Sequence, residues 1–81
     1  MKHIILAKNI CIAKDGLKDI IKNLDILNNS NIKNSLDTTY IKTTSLYYFE
    51  QLSKDSITIS NVDEILDFIE KKNKAIFDIF S

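Results

Sequence analysis

Residues that could do chemistry are sparse in this 81-residue chain. His3 is its one histidine and Cys11 its one cysteine. One His and one Cys cannot supply the four ligands of a structural zinc site. The lone cysteine also excludes an intramolecular disulfide. Gly16 is the only glycine, so no glycine-rich loop is present to cradle a phosphate. The eleven acids are matched by eleven lysines. Both are spread along helical faces, and no carboxylate pair stands out for general acid–base work. No enzymatic activity, metal or organic cofactor is expected. What does stand out is a hydroxyl cluster, Thr43-Thr44-Ser45, followed by Leu46-Tyr47-Tyr48-Phe49.

Composition narrows the partner classes. Net charge is zero and arginine is absent. Arginine is the usual choice for bidentate phosphate and guanine contacts, so a nucleic-acid partner is not expected. A hydrophobic content of 44% suits a globular domain. At this length it is one domain, residues 1–81, with a modest core. No apolar run is long enough for a membrane span. Ile4-Ile5-Leu6-Ala7 is too short for a signal peptide core. A cytoplasmic protein is expected.

The elements that must position the hydroxyl cluster follow from apolar spacing. Leu17, Ile20, Ile21, Leu24 and Leu27 fall on one helical face, predicting a helix over Asp15 to Leu27. Asp15 reads as its N-cap, and Asn28 to Asn31 as its end. Residues Ile4 to Ala13 are rich in β-formers and read as a hairpin or one bent strand, with Cys11 a buried, inert thiol within it. Asn31 to Leu36 reads as a weak strand. Thr43 or Thr44 would cap a helix running to Ser53. Ser56 to Ser60 alternates with period two and reads as a strand. Asn61, with Glu64 three residues on, would cap a helix to Lys72 that Asn73 stops. Ala75 to Phe80 reads as helix or strand. The expected fold is α/β: a small mixed or mostly parallel sheet with amphipathic helices mainly on one face.

An apolar residue, hydroxyl residues at a turn, then Leu and a helix resembles the signature of STAS domains. Ile41, Lys42, Thr43, Thr44, Ser45 and Leu46 stand in its places. Ile57 to Val62 and the helix after it resemble the end of that fold. Lys42 stands where the family has Asp, and Ser45 where it has Gly or Ala. The resemblance implies a non-enzymatic docking or regulatory subunit. Its protein partner would be the ATPase of a phospholipid-transport ABC complex or an anti-sigma regulatory kinase. That partner would place the protein at the inner face of the membrane. It also implies that Thr43 is the phosphoacceptor position. With Lys42 in place of Asp, a constitutive docking surface fits better than a kinase-regulated switch.

Consecutive residues on a helix point about 100° apart, so Tyr47, Tyr48 and Phe49 cannot all face a core. With Leu46 and Phe49 inward, Tyr47 is outward and can anchor an interface. The expected partner-binding residues are Thr43, Thr44, Ser45 and Tyr47. An unrelated interaction protein, such as an immunity protein or antitoxin-like inhibitor, is the alternative reading.

Overall fold

The computed structural model describes residues 2–81, with side chains from residue 3 onward. Three helices account for almost all of it: α1 Lys2–Asn29, α2 Thr38–Leu52 and α3 Ile59–Phe80. The α/β expectation is overturned, because there is no strand or sheet among the described residues.

The long first helix follows from one apolar series. Leu6, Ile10, Ala13, Leu17, Ile20, Leu24 and Leu27 recur at alternating steps of four and three. That spacing keeps one seam facing a neighbouring helix. Ala13, Leu17, Ile20, Leu24 and Leu27 are buried, and Leu6 and Ile10 pack partly buried against them. The residues Ile4 to Ala13, expected as strand, are therefore the first turns of this helix. Asp15 lies inside it and caps nothing. Asn31 adopts the left-handed conformation, at φ 57°, just past the helix end.

Contacts fix the arrangement. Lys42 of α2 reaches Asp25 of α1 at 3.6 Å. Further along α2, Phe49 lies under the ammonium groups of Lys14 and Lys18, each 5.7 Å from its ring centroid. Rising numbers in α2 meet falling numbers in α1, so the two helices are antiparallel. Ile69 of α3 packs on Gly16, and Ile76, Phe77 and Phe80 share a groove with Asp19, Lys22 and Asn23. The third helix thus runs parallel to the first, in an up-down-up bundle. Ile41 and Leu52 of α2, and Val62, Ile65, Ile69 and Ile76 of α3, complete the core. No helix among the described residues is long and apolar enough to cross a membrane.

The caps differ from those expected. Asp37, not Thr43 or Thr44, starts α2: its carboxylate accepts from the Tyr40 amide at 3.0 Å. Residues 31–37, expected to hold a weak strand, form a loop braced by Asn34, whose Oδ1 accepts from the Leu36 amide at 3.0 Å. Thr58 starts α3, in a capping box with Asn61. Thr58 Oγ1 accepts from the Asn61 amide at 3.1 Å, and Asn61 Oδ1 accepts from the Thr58 amide at 3.3 Å. The period-two stretch Ser56 to Ser60 is thus a turn leading into a cap. Asn73 stops nothing, and Ala75 to Phe80 continues the same helix.

Candidate functional site

The hydroxyl cluster lies in the body of α2, between Asp37 and Leu52. It is neither a turn nor a helix start, and its three members do not share one surface. Thr43 is exposed, Thr44 half-buried and Ser45 fully buried. Ser45 donates its hydroxyl to the Ile41 carbonyl one turn back, at 2.7 Å. That bond satisfies a polar group in the core. Ser45 is therefore removed from any exposed docking set. Leu46, expected inward, is 52% exposed, and Ser45 takes the inward place beside it. The weak strand expected before the cluster, Asn31 to Leu36, is a loop, so the strand–turn–helix geometry behind the STAS resemblance is not formed.

Tyr47 is outward, as expected, at 57% exposed. Tyr40, two turns earlier, is 59% exposed. Residues seven apart lie on nearly one line along a helix, and Thr43 and Thr44 fill the line between them. A flat stripe of two tyrosines and two threonines results. Tyr47 also borders a groove between α2 and α3 of about 320 Å³. Its walls carry Tyr48, Gln51 and Ile57 from the α2 side and Asn61, Glu64 and Ile65 from α3.

Tyr48 sets the groove's inner wall. Its ring meets Phe68 edge-on, centroids 5.1 Å apart and planes at 78°. That geometry aligns ring edge with ring face. On the other side the Tyr47 ring is 5.9 Å away. Burial, followed by the carboxylate of Glu64 and the phenols of Tyr40 and Tyr47, holds the Tyr48 hydroxyl above the usual phenol range. Tyr48 stays neutral, and the groove sets its phenol, Ile57 and Ile65 among polar groups with the Glu64 carboxylate at the edge.

The remaining reactive groups do not converge. His3 and Cys11 are eight residues apart on one helix, about 12 Å along its axis. Cys11 is exposed, not buried as expected. No group of three His, Cys, Asp or Glu side chains that could hold a metal occurs among the described residues. Tyr40, Tyr48, Gln51 and Glu64 lie outside the expected partner-binding set of Thr43, Thr44, Ser45 and Tyr47. The signal for Tyr40 was its seven-residue spacing from Tyr47. Glu64 could not be placed without knowing that α3 lies beside α2. The chain has no significant match among family models, curated proteins or solved structures.

Proposed function

We propose that this protein is a non-enzymatic interaction module. It binds a protein partner through the stripe Tyr40, Thr43, Thr44 and Tyr47 and the adjoining α2–α3 groove. One observation carries this reading: two tyrosines, each more than half exposed, stand in line on a helix whose buried residues, Ile41, Ser45 and Leu52, lie off that line. Tyrosine is a favoured interface anchor because it offers a large ring and a polar tip at low entropic cost. The threonines between them leave room for close approach. Thr43 is exposed on this stripe, and phosphate added there would put charge at its centre.

The loss of the expected hydroxyl turn bears on the partner. A transporter ATPase or regulatory kinase was inferred from that turn and the strand before it. The helical stripe instead favours the second class, an inhibitor-like or immunity-type protein whose fold presents a surface to one target. The test is co-purification from the native cell with tagged wild type and with a Tyr40→Ala/Tyr47→Ala variant. The expected result is one stoichiometric partner with the wild type, lost with the variant at unchanged melting temperature. Equal recovery of that partner by both proteins overturns the assignment of this face.

A further inference from the structure

The face of α1 turned away from α2 and α3 carries a second surface, independent of the tyrosine stripe. Ile4, Ile5 and Ile12 are 71%, 55% and 51% exposed, and Cys11 is exposed beside them. Their spacings of one, seven and eight put them on one side of the helix. The buried series from Leu6 to Leu27 lies on the opposite side. Lys8 and Asp15 share the exposed face and are themselves exposed. Neither joins the ion pairs found among the described residues, which are Lys42–Asp25 and Lys71–Asp67.

The order of these residues is self-complementary. Lys8 lies three residues before Cys11, and Asp15 three residues after Ile12. A two-fold axis crossing α1 between Cys11 and Ile12 therefore sets Lys8 of each copy against Asp15 of the other. Cys11 and Ile12 form the centre, and Ile4 and Ile5 of each copy fall opposite Asp19 and Lys18 of the other, where the lysine stem can cover apolar surface. A parallel pairing would instead stack Lys8 on Lys8 and Asp15 on Asp15. We propose that this face is the interface of an antiparallel homodimer, centred on Cys11 and Ile12 and held in register by reciprocal Lys8–Asp15 pairs. Such an interface is isologous, as two-fold symmetry requires. The zero net charge of the chain adds no long-range repulsion between copies. The surface is one helix wide, so the interface falls at the small end of specific contacts and the dimer is weak.

This register makes a sharp demand. The two Cys11 residues are offset by one residue, about 1.5 Å along the axis, within reach of a disulfide. Sedimentation of the full chain should show a dimer forming at concentrations on the order of 100 µM. Diamide, which is reduced as it oxidises two thiols to one disulfide, should crosslink that dimer through Cys11. Lys8→Asp and Asp15→Lys singly should each weaken association and slow crosslinking roughly tenfold, because each replaces two attractions with two repulsions. The double variant exchanges the charges and should restore both measurements, a rescue that random thiol collisions would not show. A monomer throughout that range overturns the proposal. A dimer that resists crosslinking at Cys11, or a double variant no better than the singles, overturns the register and the proposal with it.

Discussion

The two halves of α1 are both rich in isoleucine and leucine, yet they do different things. From Ala13 to Leu27 the apolar side chains lie mostly on the packed side, and Leu17, Ile20 and Leu24 are fully buried. From Ile4 to Ile12 only Leu6 and Ile10 keep that phase, while Ile4, Ile5 and Ile12 look outward. Phase, not hydrophobicity, decides which side chains stabilise the bundle. The rest are left for other surfaces.

Truncation on the two sides of the helix breaks this comparison most directly. Leu17→Ala or Ile20→Ala should cost about 2–5 kcal/mol, since each opens a cavity among α1, α2 and α3. Ile5→Ala and Ile12→Ala should stay within about 0.5 kcal/mol of wild type, as exposed substitutions do. Urea unfolding of the dilute monomer measures all four. If Ile12→Ala costs as much as Leu17→Ala, the outer face is structural and the phase argument fails. The same contrast holds in α2: Ile41→Ala should be costly and Leu46→Ala nearly neutral.

A middle-sized effect sharpens the comparison where α1 meets α3. A Cβ on Gly16 would lie 2.9 Å from Ile69 Cγ2 and 3.2 Å from its Cδ1. Alanine within a helix gains about 1 kcal/mol over glycine. Overpacking costs about 1–3 kcal/mol, and Cγ2 sits on a stiff β-branched side chain in the core. Packing should win, leaving Gly16→Ala less stable by about 1 kcal/mol. In an Ile69→Ala background the clash is gone and Gly16→Ala should become stabilising. The same sign in both backgrounds would mean that the close approach is not what glycine serves.

The helical periods beyond residue 15 were legible, and those before it were hidden by local composition. Ile4-Ile5-Leu6 and Ile10-Cys11-Ile12 are runs of β-formers, and β-propensity outweighed the four–three alternation from Leu6 onward. The run is apolar on both faces, so its period is blurred by the outward isoleucines. Hydroxyls misled in α2 for a similar reason. Thr and Ser favour caps, yet Asp37 held that role six residues earlier and Ser45 turned its hydroxyl back to Ile41. Once the first turns of α1 and the stretches leading into α2 and α3 are read as strands, the α/β fold follows, and the groove beside Tyr48 cannot be foreseen.

Loss of a cap should weaken one end of α2 without touching either face of α1. Asp37→Ala removes the bond to the Tyr40 amide and should cost about 1 kcal/mol. Thr43→Ala and Thr44→Ala should change much less, because neither caps the helix. Equal losses at 37 and 43 would return the helix start to the hydroxyl cluster.

The smallest effect lies at high pH, in the groove between α2 and α3. Burial and then Glu64 raise the Tyr48 phenol above its usual value, with further contributions from Tyr40 and Tyr47. The native state therefore holds this proton more tightly than the unfolded chain does. The stabilisation is fully present below the unfolded phenol value of about 10. It is lost as pH rises through the higher native value, because the unfolded chain ionises first. Solvent reaches the groove, so the effect is screened and small. Tyr48→Phe keeps the edge contact with Phe68 and removes the titration. Its melting temperature should fall less steeply than that of the wild type above about pH 10. Glu64→Gln should flatten the same limb by a smaller amount, since burial is the larger cause. If Tyr48→Phe follows the wild-type alkaline limb, the groove does not hold this phenol neutral, and its acidic edge is electrostatically independent of the tyrosine stripe.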